Sequence, residues 1–300
     1  MSARQEKFYI MDHKMSWEQA VEWLRDQHDQ QALVRACYYD DPLLEAAERF
    51  SKSDEWQATL ELLPRKPGKA LDLGAGRGIS SYALAKAGWE VIAAEPDPSH
   101  LVGAGAIRSL ARESGLAVTV IEKAGEDIDL EDAVFDLVYT RQSLHHSCDL
   151  SGLCRQAARV LKPGGCFIAC REHVISKKSD LELFLKDHPL HHLYGGENAF
   201  LLSEYIAAIR NSGIRITKVF GCYDTPINYF PQTYADWVAE IQSPVRKRLG
   251  RRISDVLLGD RMPWLRHLNN ALAAFASFRL KSPGVMYTFF GFKHMNGGRS

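Results

Sequence analysis

Two rhythms of apolar and polar positions run along this chain, and each change of rhythm marks an element. The short apolar run Ala70-Leu71-Asp72-Leu73 reads as a strand, and glycines follow it at every second position, Gly74, Gly76 and Gly78. Beyond them Ile79, Tyr82, Ala83 and Lys86 recur at spacings of three and four, a helical period that Gly88 closes as a C′ residue. Trp89 to Ala94 is a second strand ending in Glu95, Val118 to Ile121 a third, Val134 to Tyr139 a fourth, and Cys166 to Cys170 a fifth, fed by the turn Leu161-Lys162-Pro163-Gly164-Gly165. Leu202 to Ser212 repeats with helical spacing, Ile214 to Phe220 reads as a sixth strand, and Val285 to Phe292 is a last strand of strongly β composition. Strands alternating with helices predict an α/β fold, a doubly wound sheet.

Upstream of the glycine strand the period is helical. Ser16 and Gln19 form a capping box for a helix whose face is Trp17, Ala20, Val21 and Leu24. Asp41 followed by Pro42 is an N-cap and first-turn pair for a helix bearing Leu43, Leu44, Ala47 and Phe50, and Ser53 caps a third helix with Trp56, Leu60 and Leu63. Before Ser16 the chain reads as a loosely ordered terminus. These patterns divide the chain into a helical cap (1–65), a ligand-binding core (66–222), a helical insertion (223–284), and the last strand with a tail (285–300). The insertion is large enough for a lid or a homodimer face.

Composition narrows the class. The chain has 300 residues, 46% of them hydrophobic, enough for a substantial core. Lys+Arg 37 balance Asp+Glu 37, so no overall charge draws the chain to nucleic acid, which is not expected as a partner. The basic run Val245 to Arg252 reads as a solvated helix face or an anion site. No apolar run is long enough for a membrane span, and MSARQEKFYI has no signal core. Six cysteines in a chain of this length read as reduced thiols, and a cytoplasmic location is expected.

The glycine turn carries the first chemistry. A dinucleotide fingerprint spaces its glycines G-x-G-x-x-G, whereas here the third comes one residue early. Asp72 stands at the end of the strand, where a carboxylate repels a pyrophosphate but suits an ammonium or sulfonium centre. Glu95 closes the next strand at the distance where an acid meets ribose hydroxyls. The string DLGAGRG, then FDLVY, a helix, and LKPGG before a strand resembles the class I S-adenosylmethionine-dependent methyltransferases across Lys69 to His173.

The resemblance implies a seven-stranded sheet whose last strand runs antiparallel, an N-terminal helical segment lying over the cofactor, and S-adenosyl-L-methionine as cofactor. Its cofactor positions fall here on Asp72, Gly74, Ala75, Gly76, Gly78, Glu95, Pro96, Gly125, Glu126 and Gln142. Many relatives place Asp directly before the stretch matching Gly125-Glu126-Asp127, and here that residue is Ala124, so adenine falls to Glu126 or backbone near Gly125. The pair His145-His146 recurs after the fourth strand in such proteins, which implies that at least one of the two lines the cofactor cavity. Tyr38 and Tyr39 read equally well as cavity or packing residues.

Attack by a substrate oxygen needs a proton acceptor, and histidine titrates near neutrality. The fifth strand ends in Arg171-Glu172-His173, charge at the edge where open α/β sheets bind ligands. His173 is therefore the first expectation for the base, with Glu172 beside it and His146 and His192 in reserve. The connection from Lys177 to Gly196 is long, polar and rich in histidine, yet its H-x-x-H-H lacks a clear carboxylate partner, so no metal is expected and activity should survive a chelator. Arg171-Glu172-His173 and the HPLHHLYGGENAF loop resemble bacterial sugar and polysaccharide methyltransferases, which implies O-methylation of a sugar or another small hydroxyl-bearing substrate. The alternatives are N-methylation of a small metabolite, a non-catalytic cofactor-binding protein, and a nicotinamide-dependent oxidoreductase, the last disfavoured by glycine spacing and Asp72.

Overall fold

A computed structural model of the chain describes residues 14–233, 236 and 283–295. The basic run at 245–252 and most of the segment read as a helical insertion lie outside the described residues. The helices are α1 (Trp17–Asp26), α2 (Gln31–Ala36), α3 (Leu43–Ser51), α4 (Asp54–Leu60), α5 (Ile79–Lys86), α6 (Ala104–Ser114), α7 (Leu150–Val160), α8 (Asp180–Asp187), α9 (His191–Tyr194), α10 (Leu202–Asn211) and α11 (Pro226–Tyr229). The strands are β1 (Lys69–Leu73), β2 (Glu90–Ala94), β3 (Val118–Ile121), β4 (Phe135–Arg141), β5 (Leu161–Ile175), β6 (Phe200–Leu201), β7 (Ile214–Phe220) and β8 (Val285–Lys293).

The sheet runs β3-β2-β1-β4-β5-β8-β7, with two-residue β6 beside β5. β1 pairs in parallel with β2 and with β4, Asp72 lying opposite Ala93 on one side and Tyr139 on the other. The order reverses between β1 and β4, the switch point where an open α/β sheet leaves a crevice. β8 is antiparallel to both β5 and β7, which agrees with the expected last strand.

Alternation along the strands fills the two faces. Leu71, Val138, Phe167 and Ala169 are buried on the face covered by α7 and α10, through Leu153, Ala157, Tyr205 and Ile209. Ala70, Leu137, Tyr139, Cys166, Ile168 and Cys170 are buried on the other face, with Phe50, Trp56, Tyr82 and Leu84 of α3, α4 and α5. The N-terminal helices therefore complete the core.

Two local readings change. Asp41 does not cap α3: Pro42 occupies the cap position with no side-chain bond, and the Asp41 carboxylate pairs with Arg25 and Arg77 instead. The fifth strand does not end at Cys170. A bulge between Ala169 and Glu172 lets β5 continue, with Arg171 at φ 60, so that Glu172 and His173 pair with Tyr287 and Met286. All three residues expected at an exposed strand exit are buried inside it.

Candidate active site

Parallel pairing brings the carboxyl ends of β1, β2 and β4 to one edge, and a cavity of about 290 Å³ opens there. Gly74, Ala75 and Gly76 line it from β1, Glu95 and Pro96 from β2, and Arg141, Gln142 and Ser143 from β4. Trp17 and Tyr39 of the N-terminal segment, and Tyr194 from α9, complete the wall. The rings of Trp17 and Tyr194 lie 4.6 Å apart, and the Met15 amide donates to the Leu193 carbonyl at 3.1 Å.

The glycine turn is built by steric exclusion. Gly74 has φ 69, and a Cβ on it would lie 1.9 Å from Ser143 Oγ, so the loops after β1 and β4 can touch only through glycine. Gly76 has φ 55 and nothing within 4 Å of the Cβ direction, which leaves its backbone open to a ligand. Gly78 stands back from the cavity as the residue preceding α5, against Ile107.

Asp72 is fully buried and does not line the cavity. Its Oδ2 accepts from the hydroxyls of Ser80 at 2.8 Å and Ser81 at 2.6 Å, while Oδ1 has no partner. Burial pushes its pKa up to about 6, against the pull of the two hydroxyls. The acid thus braces the start of α5 behind the turn, and the direct facing of a cationic ligand expected from sequence is not what its position gives. Gly125 and Glu126 also stand apart: Gly125 packs on Leu153 and Leu73, and Glu126 accepts from Ser147.

Glu95 does face the cavity. Its Oε2 accepts from the Gly76 amide at 2.7 Å and its Oε1 from the Asp97 amide at 3.0 Å, which leaves further lone pairs for ligand hydroxyls. Burial pushes its pKa up to about 7, with the charges of Asp97 and Asp72 adding to the rise and the two amides opposing it.

Behind the wall lies an ionic hub. Arg141 donates from Nε to Glu55 Oε1 at 2.6 Å and from Nη2 to Glu55 Oε2 at 3.1 Å. Arg171 approaches the same carboxylate at 3.7 Å and donates to the carbonyls of Ile227 and Phe230, each at 2.8 Å. The Glu55 side chain is 1% exposed. Arg77 ties the glycine turn to the N-terminal segment, donating to the Tyr38 carbonyl at 2.9 Å and to Asp41 at 2.8 Å. Tyr38 is buried in packing and Tyr39 lines the cavity, so the pair divides between its two readings. Tyr38, Gln142 and Arg171 all adopt positive φ, 61, 50 and 60, which places left-handed backbone around this hub.

The four candidate proton acceptors separate. His146 lines the cavity, and its Nδ1 lies 3.0 Å from the Gly196 carbonyl. Glu172 accepts from the amides of Ser143, Leu144 and His145, at 3.2, 3.2 and 3.1 Å, and its Oε2 lies 2.7 Å from His145 Nδ1. Four donors saturate it, so it shapes the loop after β4 and does not serve as a base. His173 is buried behind the wall with Nδ1 2.8 Å from the Gly284 carbonyl, and burial lowers its pKa to about 3. That position argues against its expected role as base. His192 is exposed beside Trp23, at 6.1 Å between rings, and does not line the cavity.

The profile of a family described as a methyltransferase domain matches residues 71–169, which span this glycine turn, Glu95 and the loop after β4. The chain carries an S-adenosylmethionine-dependent methyltransferase domain of class I. A ubiquinone biosynthesis O-methyltransferase of Rhizobium etli is 25% identical over 199 residues, 65% of this chain and 76% of its own. A sarcosine/dimethylglycine N-methyltransferase of Halorhodospira halochloris is 35% identical over 136 residues, 44% of this chain and 47% of its own. Phosphoethanolamine N-methyltransferase 2 of Haemonchus contortus, solved with phosphomonomethylethanolamine and S-adenosylhomocysteine, shares the fold at TM-score 0.52 and 17% identity, over 94% of this chain and 61% of that one. Among the described residues of this methyltransferase, no helix is long and apolar enough to cross a membrane.

The cavity fits the cofactor of this enzyme class. It offers an acid for ribose hydroxyls, open backbone at Gly76, and apolar surface from Pro96 and Val102 for a base ring. Ligand hydroxyls that donate to Glu95 favour its ionised form, so protonation must oppose binding. We therefore expect S-adenosylhomocysteine affinity to rise between about pH 6 and about pH 8 and then level off, because the free carboxyl titrates near 7. Glu95→Ala should lose that pH dependence and weaken binding by about 1–3 kcal/mol. Calorimetry showing a flat profile in the parent chain, or unchanged affinity in the variant, would remove Glu95 from the site.

Proposed function

We propose that this methyltransferase acts on a hydroxyl of a small molecule, with a sugar hydroxyl as the acceptor class, and that His146 takes the hydroxyl proton. One observation carries the reading. The Gly196 carbonyl can only accept a hydrogen bond, so His146 Nδ1, 3.0 Å away, holds the proton of the neutral ring. Nε2 then carries the lone pair, on a ring that lines the cavity. A neutral imidazole with one nitrogen fixed as donor and the other free is what proton removal from a hydroxyl requires.

The cofactor supplies an electrophilic methyl group on a sulfonium sulfur. The chain supplies position. The Gly74–Gly76 backbone and Glu95 would hold the nucleoside end, Gln142 lines the wall between them and His146, and the Trp17, Tyr39 and Tyr194 rings enclose the space from the other side. Holding an acceptor oxygen in line is worth several kcal/mol before any proton moves. The polar loop that suggested a sugar contributes Tyr194 to the wall and the Gly196 carbonyl to His146. The O-methyltransferase named among the relatives supports oxygen as nucleophile.

The test is transfer of label from methyl-labelled S-adenosylmethionine to a panel of sugars, phenols and small secondary amines. Label on a sugar is the expected outcome. Label on phenols alone keeps the hydroxyl and overturns the sugar, and label on amines alone overturns both.

A further inference from the structure

Behind the cavity wall the lone pairs of three buried side chains meet with no donor among them. His145 Nδ1 faces Glu172, a carboxylate held by three backbone amides, so the proton of neutral His145 sits on Nδ1 and Nε2 is bare. His173 Nδ1 faces the Gly284 carbonyl, an acceptor only, so its Nε2 is bare as well. Glu197 is 8% exposed, its Oε1 accepts from the Tyr194 hydroxyl, and its Oε2 has no hydrogen-bond partner. One ligand atom from each of the three residues lies within 4.8 Å of the other two, and His145 Nε2 is 3.7 Å from Glu197 Oε2. A buried carboxylate oxygen facing two imidazole lone pairs is costly unless a cation joins them.

We propose that His145 Nε2, His173 Nε2 and Glu197 Oε2 form a binding site for a divalent first-row transition ion, with Zn²⁺ as the best match. Two imidazoles and one carboxylate select such an ion over Mg²⁺ or Ca²⁺, which prefer oxygen. Tetrahedral Zn²⁺ with ligands near 2.0–2.2 Å needs donor atoms about 3.4 Å apart. The His145–Glu197 edge is close to that, and the longest edge, at most 4.8 Å, must shorten by up to about 1.4 Å. The outer shell is already built: Glu172 on His145, the Gly284 carbonyl on His173 and Tyr194 on Glu197 fix each ligand's orientation. His188 is not a ligand. The Leu190 amide donates to its Nδ1 at 3.3 Å, so the neutral ring keeps its proton on Nε2, which faces Glu197 Oε1 at 3.7 Å. Three protein ligands leave the fourth position open.

Such an ion would tie the connection between α9 and β6 to the loop after β4 and to β5. It would thereby hold Gly196, the residue before Glu197, against His146. The inference does not depend on which acceptor is methylated, and it reverses the expectation of no metal. His145, His173 and Glu197 come from three separate segments, so no local spacing reveals them.

The test uses the full chain, dialysed against a chelator and titrated with Zn²⁺ and with Co²⁺. One equivalent should bind, Co²⁺ should give visible ligand-field absorption, and Zn²⁺ should raise the melting temperature. Glu197→Gln, which keeps volume, and His173→Gln should each weaken binding more than tenfold with unchanged far-ultraviolet dichroism. His28→Ala, on the exposed surface, should leave binding intact. If His173→Gln does not fold, Glu197→Gln decides. No stoichiometric binding by the parent chain, or undiminished binding in Glu197→Gln, overturns the site.

Discussion

Glu55→Ala is expected to lower the free energy of unfolding by about 3–5 kcal/mol, the scale for removing one partner of a buried ion pair. The reason is what stays behind. Arg141 and Arg171 would keep their charges in a region where the Glu55 side chain is 1% exposed, and Arg141 has no other carboxylate among its hydrogen-bond partners. The Arg171 guanidinium would still donate to the Ile227, Asn228 and Phe230 carbonyls, so most of the loss should fall on Arg141. Urea denaturation of the parent, Glu55→Ala and Glu55→Gln should rank them in the order parent, Gln, Ala, since glutamine keeps one acceptor oxygen. Glu122→Ala removes a pair with Arg108 that stands largely in water, at 40% and 47% side-chain exposure, and should cost well under 1 kcal/mol. Equal losses in Glu55→Ala and Glu122→Ala would show that the hub is solvated and stabilises nothing in particular.

His146→Ala should lower kcat on the order of 10²-fold or more for a hydroxyl acceptor while S-adenosylhomocysteine affinity stays near that of the parent chain. The separation of the two effects matters. His146 lines the cavity beside Ser143 and Gln142, so a role in cofactor binding would lower affinity and turnover together. A base role removes only the acceptor for the departing proton, and added imidazole should restore part of the rate. Gly196 contributes its carbonyl to the arrangement, so it is not a site where a side-chain substitution can separate the effects. Unchanged kcat in His146→Ala would move the proton acceptor elsewhere, and a joint fall in kcat and affinity would assign His146 to the cofactor.

The parts of this site that are close in sequence were legible from it, and the parts joined by tertiary packing were not. Gly74, Gly76 and Glu95 announce themselves because a glycine turn and an acid closing the next parallel strand have a fixed spacing in any such unit. The doubly wound order and the antiparallel last strand followed from apolar runs and a family resemblance. Glu55 gave no signal, because an acid in the first turn of a helix, next to Asp54, reads as a charge favoured by the helix dipole. Its partner Arg141 is 86 positions away. His173 was misplaced for a physical reason: the bulge at Arg171 carries the strand onward, so residues expected on a rim lie inside the sheet. Glu172 is adjacent to His173 in sequence, but neighbours on a strand face opposite ways, and its carboxylate meets His145.

The ionic hub also bears on modularity. Residues 71–169, the stretch that matches the methyltransferase domain family, include Arg141 but neither Glu55, which neutralises it, nor Arg171, which shares that carboxylate. A fragment cut to those limits would expose the face that Phe50 and Trp56 cover and leave a guanidinium without its counterion. The unit that inheritance makes recognisable is therefore smaller than the unit that can fold. A swap of N-terminal segments between relatives would have to carry an acid at the position of Glu55, or exchange Arg141 along with it.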